Sequence, residues 1–285
     1  MSKETFFYPE NYQHLKLLDE AAHRGGVGRG KAFEDFLQMA TCSLARPRME
    51  QEYLDAVKPY TEGATGKRGC DVIAELFGRI VAAMEKTRGE TRNVLGDLFQ
   101  GGITYGEKGQ FLTPEPVGRL MARMQVAPET VEAHETSRQR VFDPACGSGR
   151  LLLAVTELQP HWEFFGQDID LRCVRMTAIN LALRNLYGYA IWGDTLRNEV
   201  KLVYRTGFNG LSFIRFGRSD ELASLVEAEQ SVPLESPSQT STEASTHPLS
   251  RFHQMRDNNH GSFVSSESEI PFCPPRSRAS CCWKD

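Results

Sequence analysis

No run of about 18 apolar residues occurs anywhere in this 285-residue sequence, which excludes a membrane-spanning helix. The first residues, Met1 to Pro9, have no apolar core of the kind a secretory signal carries, so a cytoplasmic protein is expected. There is no excess of positive charge either. Thirty-three Lys and Arg face 37 Asp and Glu, for a formal charge of −4. That balance excludes a chain that coats nucleic acid by bulk charge, although a local basic face or a partner subunit can still supply phosphate contacts. The seven cysteines are odd in number and are expected to be reduced. Cys273, Cys281 and Cys282, with His253 and His260, show no zinc-site spacing, so no metal is expected. No internal repeat is visible.

What is there fits a folded protein. Hydrophobic residues make up 40% and charged residues 25%, enough for one sizeable domain with an attached helical region or tail. Phe33, Phe36, Leu37, Ala40 and Leu44 share one face of a helix expected over 31–45. Val72, Ile73, Leu76, Phe77, Ile80 and Met84 do so over 69–88. The glycine-rich Arg24–Gly30 piece follows no strand and reads as a loop, not a phosphate cradle. From residue 140 the pattern changes to strand (140–142), helix from 151, strand (162–166), helix (171–186) and strand (189–192). This order predicts a parallel sheet with crossover helices. Beyond Asp194 the pattern fades to a weak fourth strand at 211–216 and a short helix at 220–229. Lys201, Arg205, Arg215 and Arg218 read there as a solvated face. Residues 231–250 hold 12 Ser, Thr or Pro in 20 positions, too polar to build a core. The expected division is a helical N-terminal region (1–105), an α/β domain (106–230) and a disordered tail (231–285).

The chemistry concentrates where the first strand turns into a helix, in Asp143-Pro144-Ala145-Cys146-Gly147-Ser148-Gly149. Gly147 and Gly149 let backbone approach a ligand that a Cβ would block. Asp143 stands at the strand's carboxyl end, where open parallel sheets bind ligands. Asp168 follows the second strand and is placed to grip two ribose hydroxyls, with Asp170 suited to capping the next helix. Asp194 follows the third strand and can reach an adenine amino group. Singly, each acid reads equally well as a loop or cap residue; three at successive strand ends point to one ligand.

The seven-residue string resembles the first cofactor motif of N6-adenine DNA methyltransferases, in particular the modification subunits of type I restriction systems. Gly109-Gln110-Phe111-Leu112-Thr113-Pro114 is similar to that family's upstream motif, whose loop wraps the methionine end of S-adenosylmethionine. The resemblance spans roughly residues 30–198. It implies a Rossmann-like methyltransferase sheet, here incomplete and preceded by a helical region. It implies S-adenosylmethionine as cofactor, with Phe111, Leu112, Thr113, Asp143, Ala145, Gly147, Gly149, Asp168 and Asp194 as binding residues. DNA is the implied substrate, with a specificity subunit as a possible partner and no membrane. Thr113 is expected to cap the following helix, with Pro114 in its first position.

Besides its incomplete sheet and the lack of an obvious target-recognition domain, the sequence departs from the family at the catalytic motif. The family's catalytic Asn-Pro-Pro-aromatic string is absent; Asn209-Gly210-Leu211-Ser212, with Phe213 behind, lies about where it belongs. Asn209 is the catalytic candidate, against the reading of Asn-Gly as a plain turn. Three functions therefore remain open: an adenine N6 DNA methyltransferase or its cofactor-binding part, a catalytically inactive cofactor-binding subunit or regulator, and a methyltransferase acting on protein side-chain amides.

Overall fold

The computed structural model describes residues 4–45, 49–85, 91–104, 112–126 and 139–207, with the backbone of 214–218. The chain divides after Leu225 into two units, and every described residue lies in the first. The expectations for Phe111, Asn209, the helix at 220–229 and the tail at 231–285 concern residues outside that set.

The N-terminal part is helical. It comprises α1 (Asn11–Gly25), α2 (Arg29–Leu44), α3 (Glu50–Val57), α4 (Gly69–Glu85) and the short α5 (Val94–Leu98), with a single wide turn after it (Phe99–Thr104). The glycine-rich Arg24–Gly30 piece is the joint between α1 and α2. The apolar stripes meet as their spacing demands: Leu18, Phe33, Leu37, Leu76 and Ile80 are all fully buried in one core. Tyr60 lies at its centre and donates its hydroxyl to the buried carboxylate of Asp35 at 2.9 Å, which removes the cost of burying either group alone.

The second part contains α6 (Glu115–Gln125), β1 (Arg140–Asp143), α7 (Arg150–Thr156), β2 (Glu163–Asp168), α8 (Leu171–Leu183), β3 (Gly188–Trp192), β4 (Leu202–Thr206) and β5 (Ile214–Arg218). The strands lie in sequence order in one mixed sheet. β1, β2 and β3 are parallel, with Asp143 opposite Gly166 and Asp168 opposite Trp192. α7 and α8 are the crossovers that parallel pairing requires. β4 and β5 then run antiparallel on the β3 side.

Three expectations need correction. The expected strand at 211–216 corresponds to β5 (Ile214–Arg218), but a further strand precedes it, Leu202–Thr206, and all five residues of that strand are buried. Its polar members Arg205 and Thr206 hid it from a search for apolar runs. Arg205 accordingly is not part of a solvated face: it pairs across the ladder with Tyr189, its guanidinium 5.6 Å from that ring centre. Finally, α6 begins one residue late. Pro114 holds an extended ψ of 141° and is the cap residue, its carbonyl receiving the Val117 and Gly118 N–H groups. Thr113 makes no side-chain cap; its carbonyl instead accepts from Arg150 Nη1 at 2.8 Å.

α8 ties the two parts together. Cys173, Met176 and Ile179 enter the helical core, while Val174, Ala178 and Ala182 pack with Ala190 and Tyr204 of the sheet. A third, polar face is left for the loops at the strand ends.

Candidate functional site

The segments at the ends of β1, β2 and β3 converge because they hydrogen-bond to one another. Cys146 N donates to Gln167 O at 2.9 Å, Gly193 N to Asp168 O at 3.1 Å, and Thr195 Oγ1 to Pro144 O at 2.7 Å. The three strand-end acids are thus brought to one rim of the sheet.

Within the β1 loop, Gly147 and Gly149 are left-handed, at φ of 54° and 79°. A Cβ on Gly147 would lie 2.6 Å from Leu112 Cδ2, and one on Gly149 would lie 3.0 Å from Thr177 Oγ1. Two motifs more than thirty residues apart in sequence therefore touch, Leu112 closing over the glycine turn. The helix behind the turn has only seven residues, so the site depends on the turn's own shape more than on a helix dipole.

Each acid has a distinct state. Asp143 Oδ1 accepts from Ala145 N at 3.2 Å, while its Oδ2 is buried with no hydrogen-bond partner. Burial lifts the Asp143 carboxyl above its ordinary range, and the nearby Asp168 charge adds to this. Asp168 receives Gly147 N on Oδ2 at 2.9 Å and Asp170 N on Oδ1 at 2.8 Å, so it fastens the glycine turn to the end of β2. Burial raises Asp168 as well, against the lowering effect of those N–H groups. Asp170 caps α8, accepting from Arg172 N at 2.9 Å, as its position suggested. Asp194 Oδ1 accepts from Leu196 N and Arg197 N, which shapes the turn after β3, and its Oδ2 stands 3.5 Å from Arg197 Nε.

The sequence reading missed several residues that hold this site. Arg150, buried behind the turn, anchors the upstream loop through Thr113 O. Asn93, Thr177 and Asn180 contact the turn from the helical side. Glu115 at the start of α6 receives the hydroxyl of Tyr8, and Asp97 of α5 accepts the N–H groups of Phe7 and Tyr8 at 2.9 and 3.0 Å. The N-terminal segment is so tied to α5 and to the start of α6. Single polar residues on amphipathic helices leave no local signal of such distant partners.

Among the described residues, no group of three or more His, Cys, Asp or Glu is placed to hold a metal ion. Among them, too, no helix is long and apolar enough to cross a membrane. No solved structure matches the chain. Residues 94–206, from the first residue of α5 to the last of β4, match the family described as N-6 DNA methylase. That span holds the upstream loop, the glycine turn and all three strand-end acids, and the match supports an N6-adenine DNA methyltransferase family assignment.

Proposed function

We propose that the chain binds S-adenosylmethionine in a Rossmann-like half-sheet, at the carboxyl ends of β1, β2 and β3. The family generally uses this cofactor. One observation carries the reading for this chain: the buried, unpartnered Asp143 Oδ2 beside a left-handed glycine turn that Leu112 closes. A buried carboxylate oxygen without a donor is costly, and a ligand's ammonium group is the natural partner. Each oxygen of Asp168 holds one N–H and keeps a lone pair for a ribose hydroxyl. Asp194 Oδ2, which has only the exposed Arg197 Nε at 3.5 Å beside it, is the oxygen for an adenine amino group. Phe111, Leu112, Thr113 and Ala145 complete the methionine end. Bound there, the cofactor supplies a methyl group on a sulfonium. The chain's own part is to bind it, orient it and exclude water.

This reading fixes a pH dependence. Asp143 and Asp168 must be ionised to accept from the cofactor, and burial has raised both carboxyls. Affinity therefore falls on acidification while the pH is still above the ordinary carboxylate value of about 4. Stability of the unliganded fold has the opposite sign. Carboxyls raised on folding add stability at acid pH, and it is lost as pH rises through the folded values. Calorimetric titration across this range checks the first trend, and an affinity independent of pH contradicts it.

The matched domain is of DNA adenine methyltransferase type. We place it in a restriction-modification-like system with DNA as substrate and a specificity subunit as partner. The proposed organisation is a helical region at 1–105 and the methyltransferase domain at 106–230, followed by residues 231–285. One observation favours the inactive-subunit reading for the isolated chain: the sequence has no Asn-Pro-Pro-aromatic string to clamp the amine and stack a flipped base. The expected result is cofactor binding without measurable DNA methylation. Methylation-sensitive sequencing of DNA from cells expressing the chain alone tests it. A specific N6-methyladenine motif that disappears in Asn209→Ala would make Asn209 the residue that holds the target amine.

A further inference from the structure

Four polar side chains meet behind the glycine turn, each at most 1% exposed: Asn93, Ser148, Thr177 and Asn180. Polar groups buried so completely must find partners. A helical threonine commonly bonds back to the carbonyl one turn earlier. Thr177 of α8 donates instead to Gly147 O at 3.0 Å. One helical turn on, Asn180 Nδ2 donates to Ser148 O at 2.9 Å and to Asn93 Oδ1 at 3.2 Å. Asn93 caps α5 by accepting Gly96 N at 3.0 Å, and its Nδ2 reaches Ser148 Oγ at 2.6 Å. Two successive carbonyls of the turn and the hydroxyl between its glycines are thereby fixed. The fixing groups come from α8 and, through Asn93, from the helical region. Asn93 lies one residue before the segment that matches the family.

We propose that Asn93, Thr177 and Asn180 are positioning residues that hold the Gly147–Gly149 turn in its binding shape, so that the N-terminal helical region sets cofactor affinity. The inference rests on the cofactor reading above. A turn with two left-handed glycines has many alternative conformations, and a ligand that must order it binds more weakly. The network removes that ordering from the binding step. Buried hydrogen bonds of this kind could also serve stability alone, and the two roles differ in what they change.

The test uses the full chain, with S-adenosylmethionine titrated calorimetrically well below the melting temperature of each variant. Thr177→Val keeps the volume but loses the hydroxyl, and it should weaken binding about fivefold, the worth of one hydrogen bond. Thr177→Ser restores the hydroxyl and should return affinity to within about twofold of wild type. Asn93→Ala, which loses its contacts to both Ser148 and Asn180, should weaken binding about tenfold or more. Lowered melting temperatures with unchanged affinity in Thr177→Val and Asn93→Ala would overturn the proposal while leaving the cofactor site intact. A wild-type chain that does not bind the cofactor would overturn both. Should Asn93→Ala fail to fold, the Val and Ser pair at position 177 decides.

Discussion

Replacing Gly147 by valine is expected to abolish S-adenosylmethionine binding while the chain remains folded. The backbone at Gly147 has φ of 54°, a region that a β-branched residue enters only with strain. Its Cβ would also stand 2.6 Å from Leu112 Cδ2, a distance no pair of carbons tolerates. Either the end of the Leu112 side chain swings aside or the turn itself shifts, and either change disturbs the closure of Leu112 over the turn. A shift also carries Gly147 N away from Asp168 Oδ2. Strain of this kind costs roughly 1–3 kcal/mol, within the roughly 5–15 kcal/mol by which domains are stable, so the fold survives. Binding does not, because the strain falls on the surface the cofactor must touch. Circular dichroism and calorimetric titration of the variant check the two halves of this expectation. Unchanged affinity in Gly147→Val would remove the glycine turn from the site.

Asp168→Ala is expected to weaken binding at least about a hundredfold. Two hydrogen bonds to a charged acceptor are lost from the ribose, each worth about 1.5–3 kcal/mol, and a factor of ten corresponds to about 1.4 kcal/mol. The variant also releases Gly147 N and Asp170 N, so the turn loses its attachment to β2. Asp170→Ala should behave differently. Asp170 holds the first turn of α8 and pairs with Arg172 at 2.6 Å, so its loss costs about 1 kcal/mol of stability. Affinity should change by no more than about threefold. Titration of both variants gives the order directly, and the reverse order would assign the ribose to Asp170.

The parts of this site legible in the sequence are those whose chemistry is local. Asp143 to Gly149 declares itself because the glycines and the acid are adjacent, and the parallel order of β1, β2 and β3 follows from alternating strand and helix patterns. β4 was illegible for a physical reason. Leu202–Thr206 is short, and its Arg205 is buried through a cross-strand partner that only the ladder reveals. The capping of α6 slipped by one residue because Pro114 is extended, with the carbonyl before it bonded to Arg150. Asn93 and Asn180 gave no warning at all. An asparagine in or beside a helix reads as a weak helix former, and its worth here comes from a turn 55 residues away in one case and 32 in the other.

The central claim is that this chain, as it stands, holds S-adenosylmethionine at the glycine turn. Equilibrium dialysis of radiolabelled S-adenosylmethionine against the full-length chain, with Asp143→Ala in parallel, tests it most directly. The account predicts saturable binding of one equivalent that unlabelled cofactor displaces and that Asp143→Ala largely loses. No saturable binding by the wild-type chain, or binding that Asp143→Ala leaves unchanged, would contradict it.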